Sequence, residues 1–149
     1  IPGATGTSLL LTDNQVNKFV RVVVSYEDGN KTKEIIISDG KGPIANVNDT
    51  PTGRPVITGE WNIGSTLTAE TSGIYDEDGI PKYTGSYDPF TYQWMKSSNG
   101  SSWVSIDQNA KQKIYTLTTS DDDYHIKVNV SFKDLHPTDE IIDSFSKLF

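Results

Sequence analysis

The sequence predicts an all-β protein built as an antiparallel β-sandwich, and three observations predict it. Short runs alternate apolar and polar residues with period two, the mark of strands with one buried face. Turn dipeptides such as Asp39-Gly40, Asp78-Gly79 and Asn99-Gly100 separate these runs at roughly ten-residue intervals. Finally, the chain repeats itself without a gap at an offset of 106 positions. Leu11-Thr12 recurs as Leu117-Thr118, Val22, Val24, Ser25 and Asp28 as Val128, Val130, Ser131 and Asp134, and Thr32, Glu34, Ile35, Ile36 and Ser38 as Thr138, Glu140, Ile141, Ile142 and Ser144. An internal repeat decides architecture before any single motif does. Residues 44–149 read as one complete unit, and residues 1–43 as the back end of a preceding one.

In order, the complete unit carries strands near 55–59, 65–70, 89–96, 102–106, 113–118, 124–132 and 139–146. Thr66-Leu67-Thr68-Ala69 alternates briefly. Phe90-Thr91-Tyr92-Gln93-Trp94 alternates aromatics, and Asn99-Gly100 after it is a hairpin turn. Ile126, Val128, Val130 and Phe132 alternate with His125, Lys127, Asn129 and Ser131, the plainest strand in the chain. Its earlier copy runs Val20, Val22, Val24, Tyr26. Glu140–Phe145 and Glu34–Ser38 close the two copies. No amphipathic helix is evident; Ser120-Asp121-Asp122-Asp123 reads as a solvated turn able to cap one helical turn at most.

Composition narrows the function classes. The chain holds 20 Asp and Glu against 13 Lys and Arg, a net charge of −7. A phosphate backbone needs a basic face, so nucleic acid is an unsuited partner, and an anionic membrane surface is unsuited for the same reason. With no cysteine, disulfides, thiolate metal sites and a Cys nucleophile are excluded. No apolar run approaches the roughly 20 residues of a membrane span. The chain opens on Ile1 rather than Met and reads as a piece of a longer precursor. Catalysis finds little support: His125 and His136 stand where the earlier copy has Phe19 and Asn30, so no shared role can rest on them. There is no phosphate-binding glycine loop and no nucleophile elbow. The expectation is a protein that is not an enzyme.

Together the motifs resemble the Ig-like and cadherin-like tandem repeats of large secreted or cell-surface bacterial proteins of the adhesin type. The carriers are the linker Asn46-Val-Asn-Asp-Thr-Pro-Thr-Gly53, the strand Ile63-Gly-Ser-Thr-Leu-Thr-Ala69, the pair Asp76-Glu-Asp-Gly79 and Tyr92-Gln-Trp94, and the run Tyr115-Thr-Leu-Thr118 with Ile126–Phe132. The resemblance implies an Ig-like fold with Trp94 at its centre. It also implies a structural or adhesive role outside the cell or at its surface, with neighbouring repeats as partners. The apolar face of the half-unit (Val20, Val22, Val24, Ile35) then needs a cover. Either it belongs to a longer array, or strands from other copies complete it and form a fibre.

Two binding chemistries remain candidates. Calcium takes six to eight oxygens; Asp28, Asn48, Asp49 and Asp134 sit at unit boundaries and turns, and Asp76 and Asp78 form a second acidic cluster. Asp-Gly and Asn-Asp are also ordinary turn formers. As the alternative function, a carbohydrate-binding module would use an aromatic platform from Trp61, Trp103, Tyr83 and Tyr87, with Tyr75 nearby in sequence. Such aromatics also pack at sandwich ends. The segment Ile80–Pro89 reads as a long surface loop.

Overall fold

The computed structural model describes residues 1–107 and 110–149; Gln108 and Asn109, within the segment 107–112 where the second copy diverges from the first, lie outside the described residues. The chain divides into two compact units, Ile1–Val47 and Asn48–Phe149. The boundary falls four residues later than the sequence placed it. Residues 41–44 pair backward into the first unit, through the bridges Val20–Lys41 and Val16–Ile44.

In the first unit, β1 (Val23–Glu27) pairs antiparallel with β2 (Lys33–Ile37), in the register Val23↔Ile37 to Glu27↔Lys33. Asp13–Gln15 forms a 3-10 turn closed by Thr12, whose N–H and hydroxyl both donate to the Gln15 side chain. Every residue of both strands is exposed.

The second unit holds two antiparallel sheets. One contains β3 (Val56–Thr58), β4 (Thr66–Glu70) and β7 (Ile114–Thr116), with β4 central. In the other, β5 (Phe90–Ser97) pairs with β6 (Val104–Ser105) on one side and along eight residues with β8 (His125–Lys133) on the other. The far edge of β8 takes β9 (Asp139–Asp143) and then β10 (Lys147–Leu148). This is the sandwich the sequence predicts; the last predicted strand, 139–146, ends at Asp143 and β10 follows beyond its range, while the Ser144 hydroxyl between them accepts from Val128 N–H and donates to Phe145 O.

The alternating residues form the core. Leu67, Ala69 and Leu117 bury against Trp94, Ile126, Val128 and Val130, all at 1 % exposure or less. Burial of one such side chain contributes about 1.5–3 kcal/mol. Trp94 is fixed by direction as well as by volume. Its Nε1–H donates to Gln112 O at 2.9 Å and its ring stacks on Tyr115 at 5.6 Å. Gly53 is required where the chain passes the backbone of Gly73: at φ +75°, a Cβ there would lie 1.9 Å from Gly73 O.

Asp121 corrects one expectation. It is fully buried, not a solvated turn. Burial alone would raise its pKa. Hydrogen bonds from Tyr115 OH (2.6 Å), the Thr118 N–H and hydroxyl (3.0 and 2.8 Å) and Lys96 (3.2 Å) outweigh that and hold it below the usual carboxylate value. The acid caps the 3-10 turn Thr119–Asp121, one helical turn as the sequence allowed.

Several local features of the first unit recur in the second at the 106-residue offset. β8 and β9 pair from Asn129↔Asp143 to Lys133↔Asp139, the β1–β2 register moved by 106. Val22 N–H donates to Ser38 Oγ as Val128 N–H does to Ser144 Oγ. Asn17 and Asp123 both hold positive φ, at 60° and 62°. One difference is informative: Ser8–Leu10, the counterpart of β7, is not a strand. β7 pairs with β4, and the first unit contains no counterpart of β4.

Candidate metal centre

Asp76, Asp78 and Asp134 meet at the end of the second unit where residue 48 enters. Each is held by its own loop. Asp134 follows β8, and its Oδ1 accepts the N–H groups of His136 and Thr138, both at 2.8 Å. Asp76 Oδ1 accepts Asp78 N–H at 2.8 Å. Asp78 Oδ2 accepts Asp49 N–H at 2.8 Å. The two loops are tied by Leu135 N–H donating to Gly79 O at 3.0 Å. Gly79 stands at φ +87°, with Leu135 packed where a side chain would go.

So each carboxylate gives one oxygen to a backbone N–H. The other oxygen in each case (Asp76 Oδ2, Asp78 Oδ1, Asp134 Oδ2) is buried with no hydrogen-bond partner. Exposure of the three residues is only 4, 3 and 4 %. One oxygen from each lies within 4.8 Å of the others. Two oxygens bound at about 2.4 Å to one calcium ion are at most about 4.8 Å apart, so the spacing is compatible with one ion shared by the three. An oxygen-only donor set suits a hard cation rather than zinc or copper.

Electrostatics agree. Burial is the main influence raising the Asp76 pKa; Asp78 N–H opposes it, and the charges of Asp78, Asp134 and Glu140 add to it. Among the described residues, the ion pairs are Lys96–Asp121, Lys113–Glu70, Lys127–Asp143 and Lys133–Asp139, and none reaches the cluster. Buried unpaired charge is costly, and neutralisation by a proton or a cation relieves it.

The other expected ligands are placed differently. Asp49 takes part through its backbone. The Asn48 side chain donates to Glu140 Oε1 at 2.8 Å. Asp28 belongs to the first unit, where its Oδ1 accepts from Asn30 and Thr32 N–H at 2.8 Å, the same turn geometry as Asp134. Sequence reasoning missed Glu140, whose charge acts on Asp76 and whose Oε1 accepts from the Asn48 side chain. The signal available for it was its identity with Glu34 alongside the identity of Asp28 and Asp134.

Both expected tryptophans pack against other side chains. Trp61 is half-buried, 6.5 Å from the Phe149 ring, and Lys147 Nζ sits 4.7 Å from its centre. Trp103 is half-buried with Lys127 Nζ at 4.7 Å. Lys127 pairs with Met95, five residues along β5 from Phe90, where the segment carrying Tyr83 and Tyr87 joins that strand. Those two tyrosines and Tyr75 are exposed.

No family model, no curated protein and no solved structure matches the chain.

Proposed function

We propose that Asn48–Phe149 is a cation-braced Ig-like structural module, a spacer or assembly unit of an extended extracellular or cell-surface protein. The carrying observation is the set of three buried, unpartnered aspartate oxygens at the chain-entry end. Calcium is the best fit, because the donors are all oxygens and three carboxylates suit its charge. An ion there would tie the 76–79 loop to the β8–β9 turn. Through Asp78 and the Asp49 N–H it would also tie both to the entering linker. Bracing of this kind stiffens a module against extension, which is useful in a mechanical or adhesive protein.

The test is isothermal titration of the chelated protein with calcium chloride, with magnesium chloride alongside. The expected result is one calcium per chain, abolished by Asp78→Asn. Absence of heat and of any calcium retained after dialysis would overturn the proposal.

A further inference from the structure

We infer that Glu140 is a positioning residue of the cation site: by holding the Asn48 side chain it seats the entering segment so that Asp49 N–H occupies one oxygen of Asp78 and leaves the other for the ion. This role presupposes the cation site proposed above and names what arranges it. The strand pattern sets the residue's place. Along β9, Glu140 and Ile142 are half-buried, and Asp139, Ile141 and Asp143 are exposed. Ile142 packs against the core, so Glu140 stands on the same, core-facing side of the strand. Its partner on β8 is Phe132. The pairing runs on past the strand end, Asp134 N–H donating to Thr138 O at 3.1 Å, which brings Glu140 beside the turn that carries Asp134.

A carboxylate on a core-facing side costs free energy unless it has a partner. The partner is Asn48, whose Nδ2 donates to Glu140 Oε1 at 2.8 Å. The next residue is fastened at the same end of the unit, Asp49 N–H donating to Asp78 Oδ2 at 2.8 Å. Two consecutive residues of the entering segment are thus each held by one carboxylate. The second of these bonds decides which oxygen of Asp78 is left over, namely Oδ1, buried and without a partner. The terminal torsion of an aspartate has no sharp rotamer preference, so an outside donor must fix it. Asp76 and Asp134 take their donors from their own loops, Asp78 N–H for the first and the His136 and Thr138 N–H groups for the second. Asp78 alone among the three is fixed by a residue distant in sequence, 29 positions away. Its aim therefore depends on the seating of Asn48 and Asp49, and Glu140 is what seats them.

Beyond burial, which is the main influence, the Glu140 charge also favours the bound proton at Asp76, and it attracts a cation in the same way. Substitution separates the two actions. Glu140→Gln removes the charge and keeps an oxygen able to accept from Asn48. Glu140→Ala removes both. Asn48→Ala removes the hydrogen bond and keeps the charge. Groups that hold a metal ligand from behind tune the affinity of the site without touching the ion.

The experiment titrates calcium chloride into the chelated full chain and the three variants, and follows hydrogen exchange of the Asp49 amide in chelator. Asn48→Ala and Glu140→Ala should each weaken calcium binding about 10-fold. Both should speed Asp49 exchange by about 10-fold or more, while the Thr138 amide, held by Asp134 within its own turn, keeps its rate. Glu140→Gln should leave the Asp49 amide protected and bind calcium more tightly than Glu140→Ala. Asn48 is exposed, so alanine there leaves the fold in place. Parent-like calcium affinity or parent-like Asp49 exchange in Asn48→Ala would overturn the inference, as would Asp49 exchange in Glu140→Gln as fast as in Glu140→Ala. A parent chain that takes up no calcium would overturn the cation site itself and this role with it, so the parent titration tells the two failures apart.

Discussion

Chelating divalent cations should lower the melting temperature of the Asn48–Phe149 unit by roughly 10–20 °C relative to 1 mM calcium chloride. Calcium sites of the sensor class bind with Kd of about 0.1–10 μM, so about 10 μM is a conservative choice here. At 1 mM the ion is then present at 100 times its Kd, and binding to the folded state alone stabilises by about 2.7 kcal/mol. For a domain of about one hundred residues each kcal/mol is worth about 4–8 °C. Asp76→Asn provides the sharper half of the test. Two full charges 4.8 Å apart repel by about 3.5 kcal/mol at an effective dielectric constant of 20, and that repulsion is present in the cation-free cluster. The asparagine keeps the oxygen that accepts Asp78 N–H and removes one charge. In chelator the variant should therefore melt no lower than the parent chain, and in calcium well below it. Differential scanning calorimetry in the two buffers gives all four values. The reasoning is refuted if chelator leaves the parent unchanged, or if calcium raises the variant as much as the parent.

Three further outcomes follow from the same structure. Without cation, Asp76 keeps its proton in the folded state above the ordinary value of 3.8, where the unfolded chain has lost it. Its contribution to stability is therefore greatest at low pH and falls as pH rises from 3.8 through the raised folded value; urea midpoints across pH 4–7 should show this slope in chelator and lose it in calcium. Asp121 works in the opposite sense, its contribution vanishing only as pH falls through its lowered value. Asp121→Ala should cost about 3–5 kcal/mol in urea unfolding, because it strands the Lys96 ammonium and the Tyr115 and Thr118 donors. Val128→Ala should cost about 2 kcal/mol, whereas Val22→Ala should change stability by less than about 0.5 kcal/mol; parallel urea melts read by hydrogen exchange in each unit check the pair.

The strands were legible because burial on one face writes itself into the chain as period two. Ile126 to Phe132 alternates in the sequence and alternates between half-buried and buried in the structure. The recurrence of identical residues at a fixed offset was legible as well, since it needs no coordinates. Asp76, Asp78 and Asp134 were nameable as oxygen donors. Their grouping was not, because Asp134 lies more than fifty residues from Asp78, and only the pairing of β8 with β5 brings the two loops together. Asp121 was misjudged for a related reason. A run of three acids looks solvated unless one knows that Tyr115 and Lys96 converge on its first member.

The sequence by itself determined the strand pattern and the turns, which depend on neighbours along the chain, and it displays the same residues again at an offset of 106. Only the tertiary structure decided which acids share a buried space, which tryptophans are covered, and that Val22 is bare where Val128 is sealed. Those differences arise from contacts with residues distant in sequence. Identical local residues therefore reach different environments according to the strands that meet them.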